Sequence, residues 1–281
     1  MSETNFVPIT KNIVMVMCDF VSVTLAHGTR LAIFDTGVAG LMPKCLEPAL
    51  THMGCTLADL ELIVNTHGHW DHIEGNPALV AASKAQVCIH PADFDKLHPI
   101  ADRCLADGDR IDLGAGLEFE LVAAPGHSAG MACFYNAADG LLIASDAIQG
   151  WGGGERLPLY FSSGMAYRAS LNRLLHLDAQ ILVLGHAFGW SGTPNMIQRG
   201  RDNIRRFIGD SLTASEAIAA AVRAAVGKTP DRRFKSLLST VRATLSHEPQ
   251  YRFDSAATFG PLDQISIWSE LHDLGVTYTA A

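Results

Sequence analysis

Three histidines and an aspartate, His67, His69, Asp71 and His72, fall within six residues of the stretch Asn65-Thr66-His67-Gly68-His69-Trp70-Asp71-His72. Neutral imidazole and carboxylate are the groups that bind zinc, iron and manganese, with ligand softness and geometry deciding among the ions. The apolar run Leu62-Ile63-Val64 just before them reads as a buried strand. The cluster therefore begins where a strand ends, on backbone stiff enough to bring several ligands to one small ion. Gly68 would let the chain turn tightly between His67 and His69. One histidine beside a turn is ordinary surface; the pattern His-x-His-x-Asp-His after a strand reads as a metal-ligand loop.

This octapeptide resembles the signature of the metallo-β-lactamase-fold hydrolases, and further stretches resemble the rest of that family's pattern. Ala124-Pro125-Gly126-His127-Ser128 is similar to its next ligand loop, Ile143-Ala144-Ser145-Asp146 to the strand end that supplies a carboxylate, and Leu182-Val183-Leu184-Gly185-His186 to the last ligand strand. Ile33-Phe34-Asp35-Thr36-Gly37 resembles the early strand and turn. The likeness runs from about residue 12 to about residue 190.

The resemblance implies an α/β fold, a four-layer αβ/βα sandwich over residues 1–192, with a C-terminal helical region, 193–281, packed on it. It also implies two divalent metal ions, zinc first, with iron or manganese as alternatives. His67, His69 and His127 would hold one ion, Asp71, His72 and His186 the other, and Asp146 could bridge them. Ions about 3.5–4 Å apart can share a hydroxide, because metal coordination brings the pKa of bound water to about 7. That hydroxide would attack an acyl carbon, the metals would stabilise the developing oxyanion, and Asp71 would orient the hydroxide or help move its proton. Asp35 has two open roles: capping its own turn, or supporting a ligand from behind.

A carboxylate at position 146 is unlike the β-lactam-cleaving branches, which carry cysteine or no ligand there. It resembles glyoxalase II-like thioesterases, acyl-homoserine lactonases and the tRNA-processing nucleases. The lactonases carry a tyrosine just beyond the bridging aspartate, where this chain has Ala147, Ile148 and Gln149, although Tyr160 could substitute. Thioester hydrolysis leads and lactone hydrolysis follows. A mononuclear iron sulfur dioxygenase and a non-catalytic metal-binding effector are the alternatives from other classes.

The ligands are flanked by bulky side chains: Trp70, Trp151, Phe188 and Trp190, with Tyr160 and Phe161 on the glycine-rich stretch after Asp146. Trp70, Trp151, Tyr160, Phe161 and Phe188 are the expected substrate wall, since pockets are apolar walls around a few polar groups. They point to a small acyl substrate with an apolar or aromatic portion. A phosphodiester would call for Arg or Lys beside the metals, and only Arg156 and Arg168 lie between Asp146 and Leu171.

The elements that must position these residues are legible as alternating patterns. Ile13–Met17, Val21–Leu25 and Leu31–Phe34 read as strands, the last two joined through a turn at His27-Gly28. Residues 38–53 read as a helix interrupted near Pro43, Thr56 to Asp59 as a capped turn, Asn76–Lys84 as helix and Gln86–Ile89 as strand. Leu117–Val122 leads to His127, and a hairpin at Asp139-Gly140 leads to Asp146. His90 and His98 have no partner at ligand spacing and read as structural, while His27 reads as a turn residue and His176 as lying on a helix surface. The stretch 149–164 reads as a loop able to act as a lid or wall, followed by helix at Tyr167–Leu177 and strand at Ile181–Leu184.

Beyond Thr193 the pattern turns helical. Thr193-Pro194 reads as a helix start, with Ile197, Ile204 and Ile208 at helical spacing. A capping box at Thr213 to Glu216 opens a second helix, with Gly227 as its stop, and others are expected near Arg233–Leu245 and Ile265–Leu274. Packing, dimerisation as a homodimer, or a substrate-side wall are the roles open to this region.

Composition bounds the rest. The 281 residues are 48% hydrophobic and 18% charged with a net charge of -8, which fits a large buried core and excludes a disordered chain. No block of Lys or Arg suggests a nucleic-acid groove, and no apolar run reaches the ~20 residues of a membrane span. The six cysteines are scattered without a Cys-x-x-Cys pair; they read as thiols of a reducing compartment, with the cytoplasm as the expected location.

Overall fold

The computed structural model describes residues 5–152, 157–187, 196–229, 233–247 and 263–279. Its first half is a seven-stranded sheet built from β1 (Phe6–Pro8), β2 (Ile13–Cys18), β3 (Val21–His27), β4 (Leu31–Phe34), β5 (Leu60–Val64), β6 (Gln86–Ile89) and β7 (Arg103–Cys104), in that order. The first four strands pair antiparallel, and β4 through β7 run parallel. The crossovers carry α1 (Glu47–His52), the single turn α2 (Trp70–Ile73) and α3 (Asn76–Ser83). The second sheet orders β13-β12-β11-β10-β9-β8, from β8 (Arg110–Asp112), β9 (Glu118–Ala123), β10 (Ala132–Asn136), β11 (Leu141–Ser145), β12 (Ile181–Leu184) and β13 (Ile197–Arg199). Here only β11 and β12 are parallel. Helices α4 (Gly164–Leu174), α5 (Arg201–Lys228), α6 (Phe234–Leu245) and α7 (Asp263–Asp273) complete the elements among the described residues.

The central strands β2 to β6 and β10 to β12 are mostly apolar and buried because both faces of each sheet are covered there, whereas β1, β7, β8 and β13 at the sheet edges carry exposed residues. Successive side chains point to opposite faces. Along β4, Ala32 and Phe34 enter the core between the sheets, while Leu31 and Ile33 face the outer core with Leu46, Leu50 and Leu79. Phe34 meets Phe119 and Phe134 of the opposite sheet at 4.8 and 5.0 Å between ring centres. The outer face of the second sheet, with Val122, Leu142 and Leu182, packs on Leu171, Ile208, Val222, Leu237 and Ile267 of the helices. The result is the expected sequence of layers, helix, sheet, sheet, helix.

Two expectations are corrected. The two helices read between Pro194 and Gly227 are one strand and one helix. Ile197 lies in β13, which pairs antiparallel with β12, and α5 runs unbroken through the supposed start at Thr213. There the Thr213 hydroxyl donates to the Gly209 carbonyl at 2.9 Å, the back-bond by which a threonine is accommodated mid-helix. Ala214, Ser215 and Ile218 continue the buried face. Thr193 and Pro194 lie outside the described residues. The cysteines are also not all thiols. Cys18, at the end of β2, and Cys45 are joined by a disulfide, while Cys55, Cys88 and Cys133 are buried thiols and Cys104 is exposed. Residues 27 apart in sequence meet because the segment after β4 folds back over the outer face of the sheet.

Candidate metal centre

Every residue expected at the centre sits just past the end of a strand, along one edge of the two sheets. β5 ends at Val64 and delivers Thr66 and His67; β11 ends at Ser145, before Asp146; β12 ends at Leu184, before Gly185 and His186. The turn α2 brings His72 back beside His67, their ring centres 4.2 Å apart. That turn is pinned by its own backbone. The His72 carbonyl accepts from the Thr36 amide (2.8 Å), the Thr36 hydroxyl (3.2 Å) and the Asn65 side-chain amide (3.2 Å).

The side chains gather into two trios, His67 with His69 and His127, and Asp71 with His72 and His186, each with its ligand atoms within 4.8 Å of one another. His67 Nε2 lies 3.0 Å from His69 Nδ1, and His72 Nε2 lies 3.3 Å from His186 Nε2. Asp71 Oδ2 is 3.3 Å from His186 Nε2 and 3.9 Å from His72 Nε2. Asp146 lies between the trios, its Oδ2 3.4 Å from His127 Nε2 and 3.3 Å from His186 Nε2, its Oδ1 3.6 Å from His72 Nε2. Ligand atoms about 2.1 Å from a tetrahedral zinc stand about 3.4 Å apart. The observed separations straddle that value.

The histidines are also wired to present the right nitrogen. His72 Nδ1 donates to Asp35 (2.9 Å), His127 Nδ1 to the Leu159 carbonyl (2.7 Å) and His186 Nδ1 to the Phe20 carbonyl (3.0 Å). Fixing the proton on Nδ1 leaves the Nε2 lone pair facing inward, the arrangement a metal ligand needs. Among the described residues, His127 Nε2 and Asp146 Oδ1 are buried with no hydrogen-bond partner, as the inward-facing atoms of an ion site would be. The residues present therefore fit two cations.

Electrostatics agree. Burial, helped first by the neighbouring His72, pushes His67 well below its ordinary value, and burial takes His69 down to about 4. Burial also lowers His127, against the pull of Asp146. In the other trio burial is outweighed. Asp146 and Asp35 hold His72 well above its ordinary value, and Asp146 and Asp71 hold His186 up to about 10. Asp146 in turn is held well below the carboxylate range by His186 and His72, despite its burial. Without cations, protons on His72 and His186 balance the buried carboxylates.

Of the two roles open to Asp35, the structure shows the supporting one. Its oxygens accept from the Thr66 amide (2.7 Å), the Thr66 hydroxyl (2.8 Å), His72 Nδ1 (2.9 Å) and the Ser145 hydroxyl (3.1 Å). It also groups geometrically with His67 and His72, but both of its oxygens are already engaged by donors of the protein. The other histidines are elsewhere. His90 Nδ1 accepts from the Ala92 amide, His98 packs on Phe94, His176 Nδ1 donates to the Asn172 carbonyl, and His27 ends β3 against Cys55 Sγ at 3.1 Å.

The expected aromatic wall is partly redrawn. Phe161 stands beside the three-histidine trio, 4.5 Å from His69 and 5.3 Å from His127 between ring centres. Trp70 is 55% exposed beside the second trio. Tyr160, in contrast, is fully buried and donates its hydroxyl to Glu270 of α7 at 2.9 Å. It faces the helices, because Glu270 and its ion-pair partner Arg168 offer a buried polar site there. Trp151, half-buried, packs against the core between the second sheet and the helices. Phe188 and Trp190 lie outside the described residues.

Three residues that sequence reasoning missed belong here. Phe20, at the tip of the β2–β3 hairpin, is 45% exposed, stacks on His186 at an interplanar angle of 9° and lies 5.9 Å from Trp70. An apolar residue at a hairpin tip was the available signal. Gln149 donates to the Asp146 carbonyl (2.9 Å) and the Leu159 carbonyl (2.7 Å) and accepts from the Leu159 amide (2.8 Å), so it holds the group that orients His127. Asp93 lies between two ligand loops. Nothing local in the sequence distinguishes these last two.

Comparison with known proteins gives a consistent result. Residues 16–186 match the family model described as the metallo-beta-lactamase superfamily. The chain is 33% identical over 219 residues to a hydroxyacylglutathione hydrolase of Jannaschia sp. (strain CCS1), covering 78% of this chain and 77% of that protein. It is 39% identical over 155 residues to the hydroxyacylglutathione hydrolase of Rhodobacter capsulatus, a match spanning 55% of this chain and 58% of that protein. Among solved structures, a metallo-beta-lactamase family protein from Thermus thermophilus superposes with a TM-score of 0.69 at 18% identity over 95% of both chains, a likeness of fold.

Proposed function

The chain belongs to the metallo-beta-lactamase superfamily, and from that premise we propose that it is a dinuclear metal-dependent hydrolase that cleaves thioesters of small acyl groups. The observation that carries the reading is Asp146, shared between two complete trios of ligand atoms at tetrahedral separations. Bound there, two divalent cations, zinc first, would supply Lewis acidity: a water acidic enough to attack near neutral pH, and positive charge opposite the oxyanion.

The residues of the chain do the rest. Asp35, the Leu159 carbonyl and the Phe20 carbonyl hold protons on the outer nitrogens of His72, His127 and His186, so that no ligand must reorganise. Asp71, with its carboxylate 3.3 Å from His186 Nε2 and partly open to solvent, is placed to orient an attacking water and receive its proton. Phe20 and Trp70 on one side and Phe161 on the other offer apolar surface to the acyl group and exclude water from it. The likeness to hydroxyacylglutathione hydrolases favours a thioester. Lactone cleavage is the weaker reading because Tyr160, which could have stood in for the lactonase tyrosine, commits its hydroxyl to Glu270.

The test is kcat/KM for a glutathione thioester, an acyl lactone of matched chain length and a phosphodiester, with one metal-loaded preparation. The thioester should be the fastest. A lactone or phosphodiester cleaved faster overturns the proposal.

A further inference from the structure

Asp93 sits in the 3-10 turn Pro91–Lys96 after β6, far in sequence from any ligand, and is 5% exposed. An acidic residue in the first turn of a helix ordinarily stays at the surface beside its own amides. This one turns away from its helix. Its Oδ2 accepts from the amide of Gly68, between His67 and His69, at 3.0 Å, and from the hydroxyl of Ser128, next to His127, at 2.7 Å. One buried oxygen thus ties together the two loops that carry the three-histidine trio.

Two glycines show how closely the turn is seated. A Cβ on Gly68 would lie 2.7 Å from Lys96 Cγ and 3.3 Å from Asp93 Cβ, and a Cβ on Gly130 would lie 2.7 Å from Asp93 Cγ. Gly68 therefore answers to the close approach of this turn, and its φ is not among the positive ones. The second trio has its counterpart in Asp35, which reaches His72 directly. Asp35 also accepts from the amide and hydroxyl of Thr66, the residue before His67, so what is particular to the three-histidine half is the tie from the Gly68 amide to the Ser128 hydroxyl through Asp93.

We infer that Asp93 is the positioning residue of the three-histidine half, holding the His67–His69 and His127 loops at ligand separation and so setting the affinity of that half for its cation. The inference rests on the dinuclear reading of the site but not on the substrate. Groups that orient metal ligands from outside typically change metal affinity by about 10–100-fold when removed.

The experiment is zinc titration of metal-free protein against a competing chelator, with the step of the three-histidine half identified as the one lost in His69→Ala. Asp93→Ala should weaken that step by about 10–100-fold and leave the other step in place. Asp93→Asn should restore it, because both hydrogen bonds end on the same oxygen and an amide oxygen there can accept both. Ser128→Ala, which removes one of the two bonds, should weaken the same step to a lesser degree, and it carries the test if Asp93→Ala does not fold. A general loss of stability would lower the melting temperature without changing the ratio of the two affinities. Two unchanged steps, an equal fall in both, or no rescue by asparagine overturns the inference. No substrate is present, so failure to cleave a thioester would count against the proposed function alone.

Discussion

Replacing Asp35 by asparagine tests whether ligand orientation is built into the protein before any ion binds. The aspartate takes four hydrogen bonds from three residues, the Thr66 amide on Oδ1 and the Thr66 hydroxyl, His72 Nδ1 and Ser145 hydroxyl on Oδ2. An asparagine has one oxygen. With that oxygen toward the Thr66 amide, its NH2 faces His72 Nδ1. The two hydroxyls can rotate to accept, but the imidazole must move its proton to Nε2, the atom that faces Asp146 and His186. With the amide flipped, two N–H donors oppose each other in a buried place. Either choice leaves one buried donor unmet, at about 1–3 kcal/mol. The first choice places that cost on the Asp71/His72/His186 ion, whose affinity should fall by about 10–100-fold.

Asparagine is the informative variant because residue 35 has a φ of +61°, a conformation asparagine tolerates and alanine pays for. Asp35→Ala would also strand all four donors, and loss of a buried charge partner costs about 3–5 kcal/mol, enough to threaten folding itself. The assay is the same chelator-competed titration, with a thermal melt of the metal-free protein to verify the fold. Wild-type affinity for both ions in Asp35→Asn, or loss of the His67/His69/His127 ion first, would refute this reasoning.

Further outcomes follow from the same geometry. His69→Ala and Asp71→Ala should each lower turnover by at least about 100-fold, since groups that hold or orient the reacting water supply several kcal/mol; His90→Ala and His98→Ala should leave kcat near wild type, and equal losses at all four would undo the division of histidines. Metal binding near pH 7 should release protons, because His186 is held up to about 10 and His72 well above its ordinary value in the metal-free protein; calorimetry in buffers of different ionisation enthalpy detects the release, and its absence contradicts the electrostatic account. The same raised values stabilise the metal-free fold fully below about pH 6.5, the unfolded value, and for His186 that contribution is lost as the pH climbs through about 10. The metal-free melting temperature should therefore drop on that side, and a rise there would refute the assignment. Phe20→Ala and Trp70→Ala should raise KM for long-chain acyl thioesters more than for acetyl ones; the same change for both would remove the aromatic pair from substrate contact.

The candidate ligands were legible because each follows an apolar strand and carries its chemistry in a local pattern: His67 to His72 after β5, Asp146 after β11, His186 after β12. The layers were legible for a related reason, since strands covered on both faces are apolar throughout. What failed to show was tertiary. Tyr160 and Phe161 are neighbours in sequence, yet only Phe161 reaches the histidines, and the buried Glu270–Arg168 pair, brought in by two helices, decides which. Gln149 reaches the Leu159 carbonyl and Asp93 the Gly68 amide and Ser128 hydroxyl, and no spacing rule announces such bonds between segments. The capping pattern at Thr213 to Glu216 misled because a threonine can satisfy its hydroxyl inside a helix as well as at its start.

The most direct measurement is stepwise zinc reconstitution of the metal-free protein while hydrolysis of a glutathione thioester is followed. The account predicts that activity rises with added zinc and levels off at two ions per chain, with Asp146→Ala failing to reach that plateau. A plateau at one ion per chain, or binding of two ions with no thioester turnover, would contradict it.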